Sequence, residues 1–593
     1  MSHLTSLVNA TILLNAFCLL ISAGEAEFAE TVRMYDVERE TVSQFNNLHW
    51  SDTRIARMEK LASTWQNTLM ATDFNALNQE ERIDWLLMRE RLVYEQGKIA
   101  QDRERLRQIA ELLPFRAIVE SLEVARWRIL PMDPATSAKT LAVIPEQIKK
   151  LRQRLEKGLD KKKDNAKNDS PTTSDRAKED IEQTPLSLTP LLAFRAARTV
   201  DGVRRALKTW YESYAGSKPD FSWWVKSPFE ESDKALEGYA KYLRENIAGI
   251  KGEANDPLLG EALGANGLKR DLALEFMPYS AQELLSIGER EFAWCEARMV
   301  DAARAMNLGD EWHAALAKVK GLHVPAGKQD DYIAEQAAEA IAFIKHRDLV
   351  TVPALCEETW RISMVSSDDQ KHLPYVAYDG MNMLAAYARD DMSNEDKLMS
   401  MRGNNRHFTR LTTAHELIPG HHLQSYFAQR YRSYRSLFST PFFVEGWALY
   451  WEMALWDQGF ARSPEDQIGM LFWRMHRAAR IIVTLKFHLG EMTPPQMVEF
   501  LVNRVGHERF GATSEVRRYI AGDYSPLYQC AYMIGGLQLR ALAKTMTSNG
   551  IMTIKQFNDA VLRCGPIPIE MMRASLLIIP LAPDYKAQWR FAE

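Results

Sequence analysis

One short stretch, residues 412–424, is not expected to form a regular, uninterrupted α-helix. Its sequence, TTAHELIPGHHLQ, carries three of the chain's 13 histidines, and a Pro-Gly pair separates the first of them from the other two. Pro419 has no amide hydrogen to donate to the carbonyl of His415, and Gly420 accepts almost any backbone angles. The sequence therefore predicts that a helix bulges or breaks shortly after Glu416.

The break decides which histidines can meet. On a straight helix His421 would lie about 240° around the axis from His415, and His422 would lie about 10 Å further along it. Neither could then share a zinc ion with His415, because zinc–nitrogen bonds are about 2.0–2.1 Å long. A two-residue bulge would return His421 to the side of His415. His421 is therefore the predicted second ligand, and His422 stays open as the alternative.

His415 and Glu416 also match the start of the HExxH motif of zinc peptidases. In that motif two histidines one turn apart hold the metal, and the glutamate takes a proton from the bound water. This chain departs from it, since Pro419 stands where the second histidine would be. A third ligand is predicted at Glu445, because a carboxylate within the apolar segment FFVEGWALYWEMA is costly to bury unless it is paired or binds a metal. Glu452, two turns later, is predicted either to support the site or to face solvent.

The motifs HELIPGHHLQ and EGWALYWE resemble the signature of a large family, domain of unknown function 885, whose members are commonly grouped with the HExxH metallopeptidases. The similarity is strong over residues 373–541 and weaker in the N-terminal half. ARIIVTLKFH, SEVRRY and PLYQCAYMIGG are similar to further segments of the family. The family positions that these segments keep are Arg480, His488, Glu515, Arg518, Tyr519 and Tyr532. The chain departs from the family at Met533, where a lysine is usual, at Leu527, where a glycine is usual, and near Thr484, where an aspartate is usual.

The resemblance and the ligand pattern together predict a zinc metallopeptidase of the gluzincin type that cleaves a short peptide or another small amide. One zinc ion would be held by His415, His421 and Glu445, and Glu416 would be the general base. The groups that would stabilise the oxyanion are Tyr532 or Tyr519 together with Arg518 or His488. Two other hypotheses stay open: a zinc hydrolase or lyase that acts on a non-peptide metabolite, and a catalytically silent helical binding protein, which Met533 favours.

The rest of the sequence predicts a mainly α-helical protein. Apolar residues recur at three- and four-residue steps in residues 27–157 and 189–350, whereas residues 158–188 are charged and predict a flexible linker or insertion. Residues 351–593 are predicted to form the metal-binding region, with short strands in TVPALCEETWRISMVSS and VAYDGM. By analogy with zincins and helical oligopeptidases, we expect a large helical body with a deep cleft and a small β-sheet next to the metal-binding helix.

The N-terminal sequence predicts export. Residues 7–23, LVNATILLNAFCLLISA, are apolar, and the small residues Gly24 and Ala26 fit a signal-peptidase site, so residues 1–26 are the predicted signal peptide of a periplasmic or extracellular protein. The apolar stretch is too short and too interrupted for a stable membrane span. A net charge of −4 gives no indication of a nucleic-acid partner.

Overall fold

The computed structural model describes residues 26–165, 184–253, 256–370, 373, 375–522 and 524–592. The predicted signal peptide therefore lies outside the described residues except for Ala26, as do residues 166–183 of the predicted linker. Within the described ranges the protein is mainly α-helical with one small β-sheet, which confirms these two parts of the predicted fold, whereas the deep cleft and the likeness to zincins stay predictions. None of the helices in these ranges combines the length and the apolar character that crossing a membrane requires.

Most of the described helices before residue 260 are long. They are α1 (Ala26–Phe45), α2 (Asp52–Met70), α3 (Gln79–Gln108), α4 (Arg116–Trp127), α5 (Pro134–Leu141), α6 (Val143–Asn165), α7 (Pro190–Glu212) and α8 (Pro219–Tyr242), which continues as a π-helical turn over Leu243–Ile247. Residues 158–165, which belong to the predicted flexible linker, are thus helical. The reason is that Leu159 packs against the hydrophobic core and extends the helix past the predicted boundary.

The helices after residue 260 carry the predicted site. They are α9 (Gly264–Leu274), α10 (Ala281–Ala305), α11 (Trp312–Lys320), α12 (Gln329–His346), α13 (Ala354–Thr359), α14 (Ser367–Gln370), α15 (Asn394–Gly403), α16 (Arg406–Glu416), α17 (His421–Ala428), α18 (Pro441–Asp457), α19 (Pro464–His488), α20 (Pro494–Phe500), α21 (Arg509–Ile520), α22 (Tyr528–Ser548), α23 (Ile554–Arg563) and α24 (Ile569–Leu576). A π-helical turn over Leu501–Val505 follows α20.

The chain forms two units that alternate along the sequence. The larger contains the described residues of Met1–Asp36, Gln66–Tyr94 and Gly260–Glu593, and the smaller contains those of Val37–Trp65 and Glu95–Leu259. The predicted boundaries at residues 157, 188 and 350 concern the order of segments along the sequence and stay predictions. The predicted metal ligands all belong to the larger unit.

The core of the smaller unit includes several packed aromatic rings. Trp210 packs edge-on against Phe221, with 5.2 Å between the ring centroids, and Tyr211 stacks on Phe229 at 3.9 Å. These contacts join α7 to α8 and bury apolar surface that the periodic sequence predicts.

The sheet lies in the larger unit and has three short strands, β1 (Arg361–Met364), β2 (Val376–Tyr378) and β3 (Asn382–Ala385). The central strand β3 pairs in parallel with β1 and in antiparallel with β2. The two predicted strand segments contain β1 and β2, and β3 was not predicted. The first segment also contains α13, because Pro353 precedes a run of helix-forming residues, ALCEE.

The sheet packs beside the turn that follows α16. Met383 and Ala385 of β3 form a buried cluster with Leu417, directly after that helix, and with Ile333 of α12. The sheet thus supports the segment that carries the predicted metal ligands.

Buried polar groups fix α16 within the larger unit. The guanidinium of Arg410 donates to Gln336 at 2.7 Å and to Glu339 at 2.6 Å, both on α12. One turn earlier, His407 shares a hydrogen bond of 2.7 Å with Asp466 at the start of α19. Because these bonds lie on successive turns, they set the rotation of α16 about its axis.

Helices α18 and α22 meet through glycines. A Cβ atom on Gly535 would lie 1.9 Å from the carbonyl oxygen of Phe442, and a Cβ atom on Gly446 would lie 2.7 Å from the backbone of Gly535. Only glycine allows two helix backbones to approach so closely. The contact brings the side chains next to Gly446 on α18 close to those of α22.

The glycine contact predicts an asymmetric response to substitution. Gly535→Ala should lower the free energy of unfolding by about 1–3 kcal/mol, because the new methyl group meets backbone that cannot rotate away. Gly536→Ala is the matched control and should have a smaller effect, since its Cβ would meet side-chain atoms of Leu449 at 3.3 Å. Chemical denaturation of both variants measures the difference, and wild-type stability of Gly535→Ala would contradict the close approach.

Candidate metal centre

The chain turns sharply between α16, which ends at Glu416, and α17, which begins at His421. The amide of Gly420 donates to the carbonyl of Ala414 at 3.0 Å. A Cβ atom on Gly420 would lie 1.7 Å from the carbonyl oxygen of His415, so this position requires a glycine. The structure therefore contains the helix break that the Pro-Gly pair predicts.

Helix α18 holds the turn in place. The indole N–H of Trp447 donates to the carbonyl oxygen of Pro419 at 2.9 Å, and Trp447 is fully buried. The same helix carries Glu445, two residues earlier, so the turn and the predicted third ligand are fixed by one element.

Three side chains converge at this turn. Single ligand atoms of His415, His421 and Glu445 all lie within 4.8 Å of one another, and all three residues are buried. Oε2 of Glu445 lies 3.7 Å from Nε2 of His415 and 3.3 Å from Nε2 of His421. The same oxygen is buried and has no hydrogen-bond partner among the described residues. The arrangement leaves three electron-pair donors facing one point.

Glu452 supports the site from behind. Its Oε1 accepts a hydrogen bond of 2.7 Å from Nδ1 of His415 and lies 3.6 Å from Nη2 of Arg477. When the ring is neutral, this hydrogen bond keeps its one proton on Nδ1 and leaves Nε2 of His415 able to bind a metal, and carboxylates commonly hold metal-binding histidines in this way. Of the two positions that the sequence left open for Glu452, the buried one is correct, since the residue is 5% exposed.

The site carries a surplus of negative charge. Glu416 lies beside the cluster, with Oε1 4.0 Å from Nε2 of His415, so three carboxylates surround two imidazoles. Burial alone would lower the pKa of His415, but its contacts with Glu445 and Glu452 raise that pKa to about 9. Burial alone would raise the pKa of Glu445, yet the charges of His421 and His415 hold it well below its usual range. This electrostatic environment favours a bound cation.

His422, the alternative second ligand, points away from the cluster. Its Nε2 lies 2.9 Å from the carbonyl oxygen of Cys356 and must carry the proton, because a carbonyl can only accept. Its Nδ1 then accepts from the hydroxyl of Tyr378 at 3.0 Å. Both ring nitrogens are therefore engaged, and His421 is the histidine that faces His415.

Two tyrosines of α22 stand next to the ligands. The ring of Tyr532 stacks on that of His415, with 6.3 Å between centroids. Burial and the charge of Glu445 raise the pKa of Tyr532 to about 12, so its hydroxyl keeps a proton to donate. Tyr528, which the sequence analysis did not select, hydrogen-bonds through its hydroxyl to Oε1 of Glu445. Tyr528 could have been predicted from its four-residue spacing from Tyr532, because this spacing places both rings on one face of α22.

Tyr519 and Arg518 are engaged by a buried carboxylate. Glu515 accepts hydrogen bonds from Tyr519 at 2.6 Å and from Arg518 at 2.9 Å. Arg480 donates to the same carboxylate at 2.9 Å and to the hydroxyl oxygen of Tyr519 at 3.0 Å. The proton of Tyr519 is therefore directed to Glu515 and away from the metal ligands.

His488 does not join this group. It lies eight residues after Arg480 on α19, which is about 12 Å further along the helix axis. Its Nδ1 accepts from the amide of Leu263 at 3.2 Å, and burial lowers its pKa to about 4. His488, which the sequence offers as an alternative to Arg518, therefore lies about two helical turns away from the residues that surround Glu515.

Solved structures with low sequence identity share the fold. One is a candidate lipoprotein of unknown function from Shewanella oneidensis, with 16% identity, a TM-score of 0.66, and coverage of 93% of this chain and 100% of that chain. Another is a candidate lipoprotein from Colwellia psychrerythraea, with 14% identity, a TM-score of 0.57, and coverage of 94% and 99%. No curated protein matches the sequence. A family model described as bacterial protein of unknown function, DUF885, matches residues 43–576, which is most of the chain. The chain therefore belongs to the DUF885 family.

Proposed function

We propose that this protein is a zinc-dependent hydrolase, and specifically a metallopeptidase that cleaves short peptides. The observation that supports it is the convergence of His415, His421 and Glu445, with the carboxylate of Glu416 beside them. Two imidazoles and one carboxylate form the protein ligand set of many catalytic zinc sites, in which a fourth position stays open to water or substrate.

The distances from the two histidines to Glu445 suit a zinc ion. Tetrahedral zinc with bonds of about 2.0–2.2 Å separates neighbouring ligand atoms by about 3.4 Å. The two distances to Oε2 of Glu445, 3.3 Å from His421 and 3.7 Å from His415, match that geometry closely. A cation there would also satisfy the buried oxygen of Glu445, which lacks a hydrogen bond among the described residues.

Glu416 would act as the general base. When zinc is bound, it supplies Lewis acidity that makes water more acidic and polarises the scissile carbonyl. Glu416 takes a proton from water as the oxygen of that water bonds to the carbonyl carbon, and passes the proton to the leaving nitrogen as the C–N bond breaks. The products are a carboxylic acid and an amine, and Glu416 returns to its starting ionisation state.

Tyr532 would donate a hydrogen bond to the developing oxyanion. Its ring contacts His415, and its hydroxyl remains protonated. Tyr519 is less suited to this role than the sequence analysis expected, because its proton is directed to Glu515. Preorganised donors of this kind typically contribute about 10²–10³ in kcat.

The limited exposure of the proposed base and of one proposed ligand favours a narrow, extended substrate. The side chains of Glu416 and His421 are 9% and 10% exposed. An extended peptide can reach such atoms, whereas the surface of a folded protein cannot. We therefore propose that the substrates are short, unfolded peptides.

Metal content tests the ligand set. The wild-type protein, loaded with zinc and dialysed, should retain about one zinc ion per chain. His421→Ala should lose it, and His422→Gln should keep it, because only His421 faces Glu445. Elemental analysis of the three proteins measures this. Retention of zinc by His421→Ala, or its absence from wild type, would remove the basis of the hydrolase proposal.

The role of Glu416 has a separate signature. Glu416→Gln should keep zinc but lower the hydrolysis of short peptides by about 10²–10⁴-fold, because the amide cannot accept the proton. Glu491→Gln, which changes an exposed glutamate of the same unit, is the control and should leave turnover intact. Undiminished turnover by Glu416→Gln would exclude Glu416 as the base.

We also propose that the protein is exported. The apolar N-terminal sequence and the description of the two solved structures as candidate lipoproteins support this. Cell fractionation followed by N-terminal sequencing should find a mature chain that begins after Ala26 outside the cytoplasm. Recovery of the chain only from the cytoplasm would argue against export.

A further inference from the structure

Three arginines that are not predicted metal ligands lie near Tyr532. The guanidinium carbons of Arg477 and Arg480, on α19, lie 4.6 and 4.5 Å from the ring centroid of Tyr532. Arg518, on α21, joins Arg480 through their shared partner Glu515. Since Tyr532 stacks on His415, this positive group borders the candidate metal centre.

The group holds more positive than negative charge. Among the residues that the structure describes, Glu515 is the carboxylate that accepts from both Arg480 and Arg518, so these three side chains together carry one net positive charge. Two neighbouring histidines do not change that count. Burial lowers the pKa of His507 to about 3, and burial together with the charge of Arg480 holds the pKa of His476 well below its usual range. Both imidazoles are therefore neutral near pH 7.

The charges of the candidate metal centre do not compensate this extra positive charge. Its three carboxylates, Glu416, Glu445 and Glu452, would be balanced by one divalent cation together with Arg477, which lies 3.6 Å from Glu452. The surplus at Arg480 and Arg518 remains. A buried charge without a counter-ion is costly, which makes an anionic ligand the natural complement.

Unused donors mark where such an anion would bind. Nη1 of Arg480 and Nε of Arg518 are buried and have no hydrogen-bond partner among the described residues. Arg480 is almost fully buried, whereas the side chain of Arg518 is 23% exposed and lies 5.8 Å from the ring of Tyr524, itself 40% exposed. The group therefore extends from Arg480, which contacts Tyr532 beside the candidate metal centre, to the partly exposed side chain of Arg518.

We propose that Arg480 and Arg518 form a subsite for a carboxylate of the substrate, so that the enzyme acts on peptides or N-acyl amino acids with a free carboxyl group near the scissile amide. Guanidinium groups bind carboxylates through paired, charge-assisted hydrogen bonds. An extended peptide covers about 3.5 Å per residue, and the contacts from Arg480 through Tyr532 to His415 span 4.5 and 6.3 Å, so cleavage falls within about three residues of the C-terminus. This inference rests on the proposed function for its reaction but not for its binding test.

Binding to a non-hydrolysing variant provides that test. Zinc-loaded Glu416→Gln should bind N-acetyl-trialanine at least about tenfold more tightly than it binds the C-terminal amide of the same peptide, as measured by calorimetry. Adding Arg518→Gln should remove this preference. Adding Arg509→Gln, which changes an exposed arginine of the same helix, should preserve it. Equal affinities for acid and amide, or no binding of the acid at millimolar concentration, would overturn the subsite.

Turnover separates this inference from the proposed function. On the wild-type background Arg518→Gln should raise KM for the free acid while leaving the amide unaffected. An equal fall of kcat on both peptides would assign the arginines to the transition state and overturn the subsite. If wild type binds the acid preferentially but hydrolyses neither peptide with zinc present, the hydrolase proposal fails and the carboxylate subsite stands.

Discussion

The candidate metal centre depends on a contact between two backbone segments. The carbonyl oxygen of His415 occupies the space that a side chain at position 420 would need, and the chain can double back there only because that residue is glycine. This reversal replaces the one-turn spacing of an ordinary HExxH helix by two helices, the first with His415 near its end and the second beginning at His421. Trp447 then locks the turn to α18, the helix that presents Glu445. One steric constraint thus sets the positions of all three candidate ligands.

The sequence was informative where backbone chemistry leaves few options. Proline cannot donate a hydrogen bond and glycine removes the Cβ, so the break after Glu416 could be predicted without knowledge of the fold. The periodic apolar positions gave the mainly helical class, and the two long motifs gave the family. Glu445 was selected because an isolated carboxylate in an apolar helix needs a partner, and the structure brings it to the two histidines.

The features that could not be predicted from the sequence depend on contacts with distant segments of the chain. His422 is turned from the cluster by Tyr378 and the carbonyl of Cys356, and neither partner could be paired with it from spacing alone. His488 lies on the same helix as Arg477 and Arg480, but the backbone of Leu263, far away in the sequence, engages it. The strand β3 is too short to stand out, since NMLA becomes a strand only between β1 and β2. Tertiary contacts decided each of these cases.

The spacing of Arg477 and Arg480 has a thermodynamic consequence. The two residues lie three apart on α19, so one helix carries both the arginine next to Glu452 and the arginine bound to Glu515. Any ordering of that helix by one ligand lowers the cost of ordering it for another. Cation binding, which acts on His415 and Glu452, and anion binding, which acts on Arg480, would therefore be positively coupled, and each would increase the affinity of the other by the same factor.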